Sequence, residues 1–204
     1  MKYLRQLYDW MLHWAETPYG PIALFILAFA EASFFPIPPD ALLIALVLGA
    51  RKKAFQFALN STIASVLGAI FGYSIGHFAW WNGDAQFSNF ALFFFNNIPG
   101  FTENLFFKVK ELYDEWNFWI IFTAGFTPIP YKVFTISAGA FKINFFLFIL
   151  ASIISRAGRF FIVAGLIWRF GDQIKDFIDK YFNILAIVFT VLLIGGFVAI
   201  KYLF

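Results

Sequence analysis

Five ionisable residues stand inside otherwise apolar sequence: Glu31, Asp40, Lys132, Arg156 and Arg159. On insertion scales a charge at the centre of a membrane helix costs about 2.5–3.5 kcal/mol, so each of the five calls for a partner or a wet cavity. Arg156 and Arg159 are one helical turn apart and share a helix face. A forked pair of guanidinium groups matches phosphate oxygens well. The five residues carry three positive and two negative charges, a surplus of +1 that suits an anionic headgroup. The competing reading is structural: Glu31 and Asp40 neutralise two of the cations and hold their segments in place.

Other chemistries find little support. There is no cysteine, which removes disulfides, thiolate metal sites and a Cys nucleophile. The two histidines, His13 and His77, are far apart and form no metal-ligand spacing, so neither a metal nor a cofactor is expected. His77 reads as an interfacial hydrogen-bonding residue and His13 as a solvated one. Ser61, Ser65, Ser152 and Ser155 have no neighbouring base and read as helix-packing hydroxyls, so an enzyme is not expected. No Gly-rich nucleotide loop occurs. The net charge of +3 is too small and scattered for nucleic acid.

The elements that would position the five charges are set by a repeated tripeptide. Pro-Ile-Pro occurs at 36–38 and again at 128–130, each followed two residues later by a charge, Asp40 or Lys132. Proline lacks the backbone donor and clashes with the preceding turn, so the helices must break at Pro36, Pro38, Pro128 and Pro130. Broken backbone inside a bilayer is tolerated only where protein buries it or it lines a cavity. Two such breaks in corresponding places mark a candidate mid-membrane site.

A bilayer is the expected solvent. With 61% hydrophobic residues, 13% charged residues and a mean hydropathy of +0.76, the chain has too little polar surface to cover a soluble globule. Residues 1–19 predict an amphipathic interfacial helix, with Trp10 and Trp14 as anchors and no signal-peptide pattern. Ile22 to Phe35 and Ala41 to Ala50 are each too short to span a hydrocarbon core of about 30 Å. They fit a hairpin that enters, breaks and returns, or a single kinked span. Ala54 to Trp81 is long enough to cross and carries Asn60, Ala64, Gly68, Gly72 and Gly76 at intervals of four, a stripe that admits another helix closely.

The pattern recurs. Residues 83–115 predict a polar and aromatic outer loop with room for short interfacial helices. Trp116 to Phe126 and Val133 to Phe141 then form a second broken pair, Ile143 to Trp168 a second span, and residues 169–204 a polar linker with a last transmembrane helix. Pro36-Ile37-Pro38 aligns with Pro128-Ile129-Pro130, Gly49-Ala50 with Gly139-Ala140, and Ser65 and Gly68 with Ser155 and Gly158. Hairpin then span is the unit, used over 20–82 and 116–168. With both hairpins re-entrant, eight Lys or Arg fall on one side and four on the other; with both spanning, seven and five. The positive-inside rule favours the re-entrant arrangement, with the N-terminus cytoplasmic and the two hairpins opposed as an inverted repeat. All seven Trp residues fall on the interfacial helix or near segment ends, as an aromatic belt requires.

The stretch Glu31-Ala32-Ser33-Phe34-Phe35-Pro36-Ile37-Pro38-Pro39-Asp40 resembles the first hairpin of the DedA family of bacterial membrane proteins, also called SNARE-associated or VTT-domain proteins. Gly125-Phe126-Thr127-Pro128-Ile129-Pro130-Tyr131-Lys132, ending in Ala138-Gly139-Ala140, resembles its second. The resemblance runs from about Ala28 to Trp168. It implies two opposed re-entrant hairpins in a bacterial inner membrane and movement of lipids between leaflets, with polyprenyl-phosphate carriers as substrates. Glu31 and Asp40 match the family's acidic pair. Typical members have arginines before and after the second-hairpin proline; this chain has Gly125 and Tyr131, with Lys132 one place on, and so resembles a divergent branch.

The expectation is therefore an all-α integral membrane protein that moves an anionic phosphate-headgroup lipid, with proton coupling and homo-oligomerisation left open. Lys132, Arg156 and Arg159 would face the phosphate, and Glu31 and Asp40 would hold those cations. The alternatives are a proton- or ion-coupled transporter of small solutes and a non-transporting scaffold.

Overall fold

The structure, a computed structural model, describes residues 17–34, 38–82, 86–97, 102–127, 130–171 and 173. Among the described residues the chain is all-helical, with seven α-helices and one isolated bridge between Trp81 and Phe87. The proline breaks set the first two helices. Helix α1, Gly20–Ser33, stops short of the first Pro-Ile-Pro, and α2, Asp40–Gly49, starts directly after Pro39. A 3-10 turn, Arg51–Lys53, leads into α3, Ala54–Ala79. Helix α4 is Asn89–Asn97, α5 is Glu103–Phe126, α6 is Tyr131–Ala140 and α7 is Phe145–Gly171. The break between α5 and α6 falls at the second Pro-Ile-Pro. Tip residues Pro38 and Pro130 are described; Pro36 and Pro128, residues 1–16 of the interfacial helix expected over 1–19, and the last helix expected over 182–200 lie outside the described residues.

Among the described residues two helices are long and apolar enough to cross a membrane: Arg51–Ala79, of 29 residues, and Phe145–Gly171, of 27. The 14 residues of α1 and the 10 of α2 are not, at about 1.5 Å of rise each.

The chain divides into two compact units. The first holds residues 17–28, 38–64 and 157–173 of those described. Its core joins Leu24 of α1, Leu42, Leu43, Leu46 and Val47 of α2, Phe57 of α3 and Phe160, Ala164 and Ile167 of α7. The return arm thus packs in one cluster with the arm it follows. Asn60 Nδ2 donates to the Pro21 carbonyl at 2.7 Å, which ties α3 to the start of α1 and satisfies a polar group in an apolar setting.

The second unit holds residues 29–34 and 65–156 of those described. Here the small-residue stripe of α3 does what its spacing predicts. A Cβ on Gly68 would strike the Phe29 carbonyl, one on Gly76 the Ile136 carbonyl, and one on Gly139 the Tyr73 carbonyl. Backbone meets backbone at these points, which only glycine allows. Tyr73 Oη donates to the Ile143 carbonyl at 2.7 Å and Trp81 Nε1 to the Ala140 carbonyl at 2.6 Å, closing α3 onto the end of α6.

One expectation changes here. Trp80 is not part of an interfacial belt: it is buried among Phe90, Phe94, Phe95 and Phe106, its ring stacked on Phe106 at 5.6 Å. The segment between the spans, which had room for short helices, holds α4 and the first half of α5. Helix α5 is interrupted by non-helical backbone at Asn117, two residues beyond the expected loop end. Ahead of that point, Tyr113 is buried, and burial, with the neighbouring Tyr131 second, holds its phenol well above the ordinary range.

Candidate functional site

Among the described residues each unit contains one acid–arginine pair. In the second unit, Glu31 lies on the last turns of α1 and Arg156 on α7. Arg156 Nη2 donates to Glu31 Oε2 at 2.6 Å, with the arginine side chain 1% exposed and the carboxylate 11%. Arg156 Nε donates to Ser65 Oγ on α3, also at 2.6 Å, and the guanidinium lies 5.0 Å from the centroid of the Tyr131 ring. Tyr131 Oη in turn donates to Ser152 Oγ at 2.7 Å. Four helices therefore fix one cation, which is how a buried charge is made tolerable.

In the first unit, Asp40 occupies the first turn of α2, where a negative charge also suits the helix dipole. Arg159 on α7 gives it Nε and Nη2, to separate carboxylate oxygens, at 3.0 and 2.7 Å. Arg156 and Arg159 thus do not act as one forked pair, as their spacing predicts. Three residues apart on α7, they meet different acids in different units.

The surplus cation is Lys132, on the first turn of α6. Its Nζ donates to the Phe34 carbonyl at 3.3 Å, just past the end of α1, and it meets no carboxylate among the described residues. Beside it Thr135 Oγ1 donates to the Ala32 carbonyl at 2.9 Å. Both bonds join the end of α1 to α6 and use carbonyls that a helix C-terminus leaves unpaired. Ser65, Tyr131 and Thr135 were not expected here. Ser65 carried a signal, its alignment with Ser155 in the repeat, but a hydroxyl on an apolar helix looks the same whether it packs or accepts a hydrogen bond from arginine. His77 also departs from expectation: it stacks on Tyr73 at 5.9 Å, and its buried Nδ1 has no hydrogen-bond partner among the described residues. Among the described residues no group of His, Asp and Glu could hold a metal ion.

Fold and site define an all-helical protein with two helices of membrane-crossing length and apolarity, and with two acid–arginine pairs among the described residues. No family model and no solved structure matches the chain. An "Uncharacterized protein" of Haemophilus influenzae is 34% identical over 203 residues, spanning 98% of this chain and 100% of its own length. The "Uncharacterized protein HI0703 homolog" of Histophilus somni is 34% identical over 200 residues, 92% of this chain and 97% of its own length. The chain belongs to the family of these two proteins. It is also similar to the "Uncharacterized protein MJ0201" of Methanocaldococcus jannaschii, at 29% identity over 142 residues, 69% of this chain and 79% of that protein.

Proposed function

We propose that this chain is a multi-pass protein of a bacterial inner membrane, with a cytoplasmic N-terminus, that moves a lipid with an anionic phosphate headgroup between leaflets. The lipid is a polyprenyl phosphate carrier or a phospholipid. The observation that carries this reading is Lys132. With Glu31 on Arg156 and Asp40 on Arg159, the surplus positive charge falls on an ammonium whose partner is a neutral carbonyl, beside helices broken by proline. A phosphate outcompetes a carbonyl for an ammonium, because a charge-assisted bond is roughly twice as strong as a neutral one. The headgroup is held at the breaks while its tail stays among exposed apolar side chains such as Leu67 and Phe71 of α3. The resemblance to the DedA family supports the same assignment.

Loss of one such bond, worth about 1.5–3 kcal/mol, corresponds to roughly tenfold or more in rate. Lys132→Gln is therefore expected to slow the transfer of short-chain phosphatidic acid or polyprenyl phosphate in reconstituted vesicles by about that factor, while Lys132→Arg retains most of it. Wild-type protein that moves neither lipid, or a Lys132→Gln variant as fast as wild type, defeats the proposal. One observation favours the scaffold alternative: both arginines are already held by carboxylates. A scaffold predicts no transfer at all, and an ion-coupled solute transporter predicts transport without lipid substrate.

The proposed topology has its own test. The chain has no cysteine, so single cysteines at Lys53 and Asn97 can be labelled in intact cells with an impermeant thiol reagent. Asn97→Cys is expected to react from outside and Lys53→Cys only after lysis. External labelling at position 53 would mean that the first hairpin spans.

A further inference from the structure

The two acid–arginine pairs look alike in sequence and are built differently. Arg156 is held from three directions, by a Glu31 oxygen, by Ser65 Oγ and by the face of Tyr131. No single anion could replace that set. At Arg159, beside its other contacts, one edge of the guanidinium, Nε and Nη2, faces the two oxygens of the Asp40 carboxylate. A phosphate presents the same two oxygens to the same edge. Access differs as well: the side chains of Arg159 and Asp40 are 15% and 20% exposed, against 1% and 11% for Arg156 and Glu31. An incoming anion can reach the first pair without opening a core.

We propose that the Arg159 edge is an exchangeable phosphate site for which Asp40 is the internal stand-in, whereas Arg156 is a permanent brace. The ligand is a phosphate or phosphate monoester, carried on a lipid headgroup or free, and its choice rests on the function proposed above. Exchange has a mechanical result. Asp40 is the first residue of α2 and Arg159 lies on α7, so a phosphate that takes the arginine also removes the ion pair between α2 and α7 and leaves the two joined by their apolar core. Binding and release of the Asp40 carboxylate are one event.

An internal competitor lowers apparent affinity by the fraction of time it occupies the site, so removing it must tighten binding. The full chain in detergent is titrated calorimetrically with dihexanoyl phosphatidic acid, inorganic phosphate and neutral dihexanoyl glycerol. Asp40→Asn is expected to bind phosphatidic acid about tenfold tighter than wild type, as it would if Asp40 holds the arginine roughly nine-tenths of the time. The double variant Asp40→Asn/Arg159→Gln is expected to lose that gain. Affinity in Asp40→Asn equal to or below wild type, a gain that survives in the double variant, or an equal gain for the neutral glyceride overturns the proposal. A gain shared by inorganic phosphate supports it with free phosphate as a ligand, and a gain confined to phosphatidic acid supports it with the headgroup. If Asp40→Asn is not monodisperse, Asp40→Ser is judged by the same criteria. No transfer step enters the readout, so a protein that shows the exchange and moves no lipid defeats the functional proposal alone.

Discussion

Glu31→Gln is expected to lower the unfolding free energy in detergent by about 3–5 kcal/mol, the cost of taking the counter-charge from a buried cation. The residue it deprives, Arg156, is 1% exposed. Ser65→Ala removes only a neutral partner and should cost less, about 1–3 kcal/mol. Replacing the pair together, Glu31→Leu with Arg156→Met, should bring stability back close to wild type, because well-packed apolar residues often equal a buried ion pair. Denaturant titration followed by tryptophan fluorescence measures all three. A Glu31→Gln protein within about 1 kcal/mol of wild type would show that the pair does not brace the second unit.

The second large effect concerns glycine. Alanine at an ordinary helix interior is about 0.5–1 kcal/mol better than glycine, and Gly165, with nothing within 4 Å of an added Cβ, should follow that rule. Gly76→Ala and Gly139→Ala should reverse the sign and destabilise by about 1–3 kcal/mol each, since the new methyl group meets a carbonyl that cannot swing aside. The same unfolding measurement decides it. Stabilisation at position 76 or 139 would mean that α3 and α6 stand further apart than their backbones do here.

What the sequence made legible was whatever depends on the chain's own covalent chemistry. The helix stops at Ser33 and Phe126 and the restarts at Asp40 and Tyr131 follow from proline, which needs no tertiary partner to break a helix. The glycine stripe of α3 was legible because its spacing is the helix period. Pairing was not. Arg156 and Arg159 share a face by arithmetic, yet which acid reaches which arginine depends on where α1 and α2 pass α7, and no local pattern encodes that. Trp80 fell to the same ambiguity: an indole next to a charged loop can anchor at an interface or fill a core. The phenylalanines at 90, 94, 95 and 106 were the signal that this one fills a core. Helix α4 falls in the segment for which the sequence left room for short helices, but its bounds, Asn89 to Asn97, were not legible there.

The interruption of α5 at Asn117 separates two vocabularies. Every acid and base of the helix, from Glu103 to Glu115, precedes it, and none follows before the helix ends at Phe126. In an unbroken helix each inserted or deleted residue turns everything beyond it by about 100°. Here the backbone leaves the helical path at Asn117, so the facing of Gly125 onto Ser155 and Tyr131 is not a continuation of the polar half's helical phase. The break works as an index mark: the charged half of α5 takes its register from the buried Phe106 and Tyr113, and the apolar half takes its own from Gly125.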